Sequence, residues 1–241
     1  TIWTDWARHE EFGLFLLQGQ CLPRVKRISL VPPQNVYIYF DEEANEGVII
    51  DPGSDAQQIY DLVKQSGVKI NAILLTHGHG DHIGAVPDLK VLLGCPVAAH
   101  KWEIPVLEDE RANLSASIYG GVSFKPDIVL EDGDEIEFGN CKLKVIHTPG
   151  HTQGGVCYYD AKQGVLFSGD SLFYASVGRT DFPNPPMKDG IGYPSEENFT
   201  RLITALKEKI FTLPDETAVF PGHGKQTSIR FEKKFNPFVQ D

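Results

Sequence analysis

Hydrophobic and polar positions alternate, or run apolar over strand length, at residues 25–31, 35–40 and 47–50, with turn chemistry at Pro32-Pro33 and across 42–46. Three strands are predicted there, the third ended by Asp51-Pro52-Gly53. Ser54 followed by Gln57 reads as a capping box, opening a helix that Gly67 stops. A buried strand at 70–75, a glycine-laced polar loop, a helix from about Gly84 to Leu93, a strand at 96–99 and a weak helical stretch follow. In the second half, 128–130, 135–138, 142–146, 155–159 and 165–167 read as strands, with Gly139-Asn140 as a two-residue hairpin turn. Phe199, Leu202, Ile203, Leu206 and Ile210 fall at helical spacing behind Pro194-Ser195, and 217–220 makes a last strand. No low-complexity linker divides this pattern. Strands in both halves with helices interspersed predict two sheets packed in the middle and helices outside, in one domain over residues 25–241. Residues 1–24, with Trp3, Trp6 and Phe12, lack periodicity and read as an N-terminal arm, free to cover the protein's own surface or a partner subunit of a homo-oligomer. The Pro- and Gly-rich stretch 183–194 reads as a surface loop overhanging whatever sits beside Arg179.

With 241 residues, 41% hydrophobic and 23% charged, the chain has globular composition, which excludes collagen-like, coiled-coil and disordered readings. Its 22 basic and 33 acidic residues give a net charge of −11 with no basic stripe, so neither nucleic acid nor an anionic membrane is an expected partner. No run approaches the ~20 apolar residues of a membrane helix. Asp5, Arg8, His9, Glu10 and Glu11 break any signal-peptide pattern, and a soluble, cytoplasmic protein is the expectation. With Thr1 first and Met187 the only methionine, the start reads as trimmed or processed. Cys21, Cys95, Cys141 and Cys157 are widely spaced and read as scattered core thiols.

The histidines change the picture. Thr76-His77-Gly78-His79-Gly80-Asp81-His82 gathers three of them and a carboxylate directly behind an apolar strand. His77 and His79 share a face in an extended segment; Asp81 and His82 join them only in a tight turn, or by serving a second metal. Packing gives no reason to gather such groups, whose repulsion on protonation costs stability, whereas imidazole and carboxylate together are metal ligands. Partners stand at other strand ends: His151 in Thr148-Pro149-Gly150-His151-Thr152, Asp170 in Ser168-Gly169-Asp170-Ser171, and His223 in Pro221-Gly222-His223-Gly224. Singly, Asp170 is equally a turn or helix cap and His223 an ordinary loop residue. His9, His100 and His147 have no such setting; His147 orients a loop or ends its strand. No Ser-His-Asp or Cys-His arrangement competes, so the expected nucleophile is water. The donor types suit zinc, iron or manganese alike.

Taken together, T-H-x-H-x-D-H, T-P-G-H-T, S-G-D-S and P-G-H-G resemble the metallo-β-lactamase superfamily, and more closely its type II glyoxalase (hydroxyacylglutathione hydrolase) branch, over about residues 25–238. Gly178-Arg179-Thr180-Asp181-Phe182-Pro183 and Asn236-Pro237-Phe238 resemble the small single-domain bacterial members. The resemblance implies a four-layer αββα sandwich with two divalent metal ions, zinc first, in a cleft at one edge. It implies His77, His79 and His151 on one ion, Asp81, His82 and His223 on the other, and Asp170 between them. Asp51 matches a position that orients a liganding histidine, its other reading being a turn carboxylate. The implied function is a binuclear metal-dependent hydrolase, in which a hydroxide shared by ions roughly 3.5–4 Å apart attacks the carbonyl of a small thioester such as S-lactoylglutathione. Asp81 is the group expected to orient that hydroxide. Arg179 is either a carboxylate clamp or a structural partner of Asp181, and Phe173 and Tyr174 are expected to line the pocket.

One departure bears on the substrate. Two-domain glyoxalases hold glutathione with a helical C-terminal domain, and only 18 residues follow His223 here. The alternatives are a persulfide dioxygenase with a single iron on His77, His151 and Asp170, and a lactonase or other ester hydrolase. Against the dioxygenase, that branch ends its last motif A-H-D where this chain has Gly222-His223-Gly224. Against a true lactamase, the usual second-site cysteine is absent from this chain, replaced in effect by Asp170, and length and charge argue against the larger nucleases of the superfamily. A binding domain without catalysis predicts a broken motif, and none is broken.

Overall fold

Strand β2 shows how this sequence builds its layers. In Asn35–Asp41, alternate side chains leave opposite faces, as the pleat requires. Val36 and Ile38 enter one apolar cluster while Tyr37 and Tyr39 enter another. The same partition splits Ile49 from Val48 and Ile50, and Cys157 and Tyr159 from Val156 and Tyr158. Strands buried on both faces demand cover on both faces.

The computed structural model describes residues 24–29, 34–117, 120–182 and 195–240; the expected arm up to residue 23, with Cys21, and the 183–194 loop lie outside the described residues, while Arg24 belongs to the first strand. One six-stranded sheet runs in chain order through β1 (Arg24–Ser29), β2, β3 (Glu46–Ile50), β4 (Lys69–Leu74), β5 (Val97–His100) and β6 (Ile128–Leu130). Its first two pairings are antiparallel and its last three parallel. The second half supplies β7 (Glu135–Phe138), β8 (Cys141–His147), β9 (Val156–Asp160), β10 (Val165–Gly169), the small ribbon β11 (Leu172–Phe173) and β12 (Ser176–Val177), then β13 (Ala218–Pro221) and β14 (Thr227–Ser228). These form a second six-stranded sheet ordered β14-β13-β10-β9-β8-β7.

Helices α1 (Ala56–Ser66), α3 (Val86–Leu93) and the short α4 (Ile104–Leu107) cover the first sheet through Ile59, Val63, Val86, Leu89 and Leu107. On the second sheet, Leu202 of α5 (Ser195–Ala205), Leu206 and Ile210 of the π-helical turn continuing it, and Ile229 of α6 (Ile229–Phe235) do the same. Between the sheets, Phe167 meets the rings of Tyr37, Tyr39 and Phe220 at 5.3, 5.2 and 5.5 Å, pairs worth about 0.5–1.5 kcal/mol each beyond their buried area. The order helix, sheet, sheet, helix is the expected four-layer sandwich. No helix among the described residues is long and apolar enough to cross a membrane.

Strand direction decides where the site lies. β3 and β4 are parallel, as are β10 and β13, and β8 runs with β10 because β9 opposes both. The carboxyl ends of these strands therefore collect along one edge, the usual place for a site in such sheets. Hydrogen bonds close the two sheets there: Tyr158 Oη donates to Leu75 O at 2.7 Å, Val156 N to Thr76 O at 2.8 Å, and Asn35 N to Gly222 O at 2.8 Å.

Three local expectations are corrected. The Ser54–Gln57 capping box does not form: Asp55 is the N-cap, in the left-handed region at φ 53° with no side-chain cap bond, and Gln57 donates instead to Asp61 one turn on. The glycine-laced polar loop holds a single helical turn, α2 (Gly80–Ile83), while the helix expected from about Gly84 to Leu93 forms as α3, with Pro87 in its first turn, where a missing N–H costs nothing. Phe199 stands on the apolar stripe of α5 yet is exposed, against Phe238. Gly67 does stop α1, Gly139-Asn140 does turn between β7 and β8, and Cys95, Cys141 and Cys157 are buried free thiols.

Candidate metal centre

Past β4 the chain bends at Thr76 and runs through His77 to His79, the extended N-cap of α2, whose single turn carries Asp81 and His82. Asp81 and His82 turn toward His223 and form a second group beside that of His77 and His79. His151 arrives on the loop after β8, Asp170 at the end of β10 and His223 just beyond β13. Their polar atoms converge in two groups. His151 Nε2 lies 2.9 Å from His79 Nδ1 and 3.3 Å from His77 Nε2. His223 Nε2 lies 3.2 Å from His82 Nε2 and 3.1 Å from Asp81 Oδ2. Asp170 stands between the groups, with Oδ1 3.3 Å from His82 Nε2 and Oδ2 at 3.5 Å from His151 Nε2 and 3.6 Å from His223 Nε2. All seven residues expected from the motifs therefore meet at one place.

Hydrogen bonds on the outer side fix which nitrogen faces inward. His82 Nδ1 donates to Asp51 Oδ2 at 3.0 Å, and His151 Nδ1 to the Arg179 carbonyl at 2.7 Å. Thr76 donates its N–H and its hydroxyl to Asp51 at 2.7 and 2.5 Å, so the hydroxyl oxygen is left to accept from His77 Nδ1 at 3.1 Å. With those protons on Nδ1, the Nε2 atoms of His77 and His151 carry lone pairs into the site. Lone pairs facing each other at this range repel unless a cation sits among them. The separations match the edge of about 3.3 Å of a tetrahedron with metal–nitrogen bonds of about 2.0–2.1 Å. Among the described residues, the fully buried Asp170 Oδ1 has no well-formed hydrogen bond, with His82 Nε2 standing off at 3.3 Å. The donor set, nitrogen and oxygen without thiolate, thus fits divalent cations.

Charges agree with that fit. Burial pushes His77, His79 and His151 below the ordinary imidazole value, His79 to about 3. Burial also opposes charge on His82, but Asp170, Asp81 and Asp51 outweigh it and hold that imidazole well above its usual value. Burial likewise raises Asp81 and Asp170, yet His82 and its neighbouring histidines hold both below the carboxylate range. For the metal-free chain this sets a pH dependence. Histidines depressed in the fold bind fewer protons than the unfolded chain from pH 6.5 down to about 3, so stability falls across that window as pH falls. His82 alone works the other way. The guanidinium midpoint of the metal-free protein is therefore expected to be lower at about pH 5 than at about pH 7.5, and an unchanged midpoint would contradict the buried neutral histidines.

The residues expected to touch substrate are placed unevenly. The Phe173 ring is 6.1 Å from that of His223. Tyr174 is stacked on Phe231 at 4.6 Å beneath the Lys225 ammonium. The Arg179 guanidinium pairs with Asp181 at 3.0 Å, both exposed, so the structural reading of this arginine is the one its side chain adopts, while its carbonyl holds His151. His147 ends β8, stacks on His100 at 4.4 Å and sets its Nε2 2.9 Å from Gln153 O.

Three residues escaped the sequence reading. Thr76 lay inside the motif without a role. Phe182, which meets the rings of His79 and His151 at 4.7 and 5.4 Å, lay in the Arg179 run. Glu103 had no signal at all, yet it is 1% exposed and receives hydrogen bonds from both loops of the first histidine group. Burial pushes its carboxyl up to about 7, against those hydrogen bonds.

Residues 31–223 match the family described as the metallo-beta-lactamase superfamily. The chain belongs to that superfamily. Among its relatives is the probable metallo-hydrolase YqgX of Bacillus subtilis, 36% identical over 87% of this chain and 94% of that one. Hydroxyacylglutathione hydrolase GloC of Haemophilus influenzae is 30% identical over 88% of this chain and 97% of its own length. Among solved structures, the BLEG-1 B3 metallo-beta-lactamase superposes with a TM-score of 0.79 at 38% identity, covering 90% of this chain and all of that one. TTHA1623 in a di-iron-bound form gives 0.72 at 38% identity, over 88% and 98% of the two chains. ETHE1 from Myxococcus xanthus gives 0.68 at 28% identity, over 88% and 83%.

Proposed function

We propose that this protein is a binuclear metal-dependent hydrolase of small acyl thioesters. The observation that carries the reading is the position of Asp170, one carboxylate facing two separate histidine groups. His77, His79 and His151 would hold one divalent cation, Asp81, His82 and His223 the other, with Asp170 shared. Bound there, such a pair supplies a water that ionises near pH 7 and a Lewis acid for a carbonyl oxygen. The chain's own residues do the rest. Asp51 and Thr76 lock the imidazoles of His82 and His77 with Nε2 inward. Asp81 Oδ2, 3.1 Å from His223 Nε2 and on the more open side of the site, is placed to orient the attacking water. Phe182 walls the first histidine group, and Phe173 flanks His223 as the acyl or thiol side of the pocket, while Tyr174 packs on Phe231.

Thioester hydrolysis is supported by the likeness to GloC along nearly the whole of that enzyme. Zinc is the first candidate metal; iron and manganese suit the same donors, and the TTHA1623 likeness brings a di-iron relative into view. A second reading, a persulfide dioxygenase with one iron on His77, His151 and Asp170, rests on the Gly178-Arg179-Thr180-Asp181-Phe182 run and is compatible with the ETHE1 likeness.

Elemental analysis of the purified protein, run beside turnover of S-lactoylglutathione, tests the proposal. About two metals per chain with thioester cleavage is expected. One iron per chain, no cleavage and oxygen consumption with glutathione persulfide would transfer the assignment to the second reading. Cleavage of a cephalosporin with the thioester untouched would replace the substrate class.

A further inference from the structure

The carboxylate of Glu103 belongs to neither histidine group. It projects from the single 3-10 turn Lys101–Glu103 behind β5, a segment whose sequence carries no motif. Its Oε1 accepts the N–H of Gly78 at 2.8 Å, the peptide between His77 and His79. Its Oε2 accepts the Thr152 hydroxyl and the Gly154 N–H, each at 2.9 Å, on the loop that carries His151. One side chain therefore ties the turn after β4 to the turn after β8, across the junction of the two sheets. Both loops also make room for it. A Cβ at Gly154 would stand 2.3 Å from Glu103 N and 2.7 Å from Oε2, and one at Gly78 would stand 3.2 Å from Oε1.

Packing alone does not explain this choice. A carboxylate is costly to bury, and an apolar side chain of similar volume would fill the space at less expense. What only a carboxylate offers is two oxygens accepting at once from donors on different loops. We propose that Glu103 is a positioning residue, which holds the His77–His79 turn and the His151 loop in the mutual register that the first metal position requires. It acts through Gly78, Thr152 and Gly154 and touches none of the proposed ligands. This inference rests on the metal reading given above.

Cobalt(II) titration of the metal-free chain, followed by visible absorption, tests it without reference to turnover. Glu103→Gln keeps the shape but turns one accepting oxygen into an NH2 group, so one of the two loops loses its acceptor whichever way the amide faces. The variant is expected to bind cobalt about 10–100-fold more weakly, as outer partners of metal ligands generally do when replaced. Its ligand-field band should also shift in position or intensity, over and above whatever the unsatisfied donors cost the melting point of the metal-free chain. A role confined to stability would lower that melting point and leave the band alone. Thr152→Val, which deletes one donor only, should weaken binding in the same direction by less, and it carries the test should Glu103→Gln fail to fold. Cobalt affinity within about two-fold of the parent and an unchanged band, in whichever of these variants folds, would overturn the inference. A parent chain that takes up no cobalt would instead overturn the metal reading, and this inference with it.

Discussion

Asp170→Asn is expected to reduce the metal content of the purified protein from about two ions per chain to one or none, and thioester hydrolysis by more than about 100-fold. That bound is the upper end of what replacing an outer partner costs, and Asp170 is placed as a shared ligand. The argument is geometric. Asp170 Oδ1 lies 3.3 Å from His82 Nε2, and Oδ2 stands within 3.6 Å of an imidazole nitrogen from each histidine group. An asparagine of equal size keeps one oxygen but presents an NH2 group to the other side, where the neighbours are imidazole nitrogens awaiting a cation. It also removes the negative charge that would offset the two proposed divalent ions and that, with Asp81 and Asp51, raises His82. Elemental analysis and initial rates on S-lactoylglutathione check both halves. An Asp170→Asn protein with two metals and parental turnover would remove Asp170 from the site.

The parts of this centre that could be read in the sequence are those carried by short segments at strand ends. His77 and His79 announce themselves because ligands two apart behind an apolar strand have no packing purpose. His151, Asp170 and His223 repeat the device of a donor on a glycine-containing turn. The layered fold was legible for a related reason: strands buried on both faces read as near-continuous apolar runs, and the helices between them as periodic ones.

What could not be read depends on contacts distant in sequence. Glu103 meets Gly78 and Gly154 across 25 and 51 residues, and nothing in Lys101-Trp102-Glu103 marks it. The missing cap at Ser54 has a similar origin. Asp51 at φ 52° and Asp55 at φ 53° both take left-handed conformations, as the chain turns sharply to deliver Asp51 to Thr76 and His82. That tertiary demand overrides the local capping pattern. β11, β12 and β14 are two-residue strands, too short for any period to show, and the Arg-Phe-Glu-Lys-Lys-Phe stretch of α6 hides its apolar face among charges. Arg179 shows the opposite failure. The residue was noticed for its guanidinium, but its carbonyl is what holds His151.

The close approach of backbone to ligand at Gly222 leads to the most selective loss. Its N–H donates to Gly169 O and its carbonyl accepts from Asn35 N, both at 2.8 Å, so the peptide is tied to each sheet and has little freedom to withdraw. A Cβ there would stand 2.3 Å from Asp170 Oδ1 and 2.6 Å from His82 Cε1. Ordinary contacts to carbon need well over 3 Å, so Gly222→Ala must push Asp170 and His82 aside by a large fraction of an ångström. Metal bonds tolerate about 0.2 Å, and a misplacement of about 1 Å costs on the order of 100-fold in rate. Gly222→Ala is therefore expected to fold, to lose the ion on Asp81, His82 and His223, and to lose thioester hydrolysis by about that factor. Gly224, two residues on, is the matching control. It sits at φ 75° with nothing within 4 Å of a built Cβ, so Gly224→Ala should cost about 1–2 kcal/mol of backbone strain yet keep both metals. Metal content and melting point, measured on the two variants side by side, separate damage to the centre from damage to the fold. Two metals retained in Gly222→Ala would mean that the space between Asp170 and His82 is not where the second ion is held.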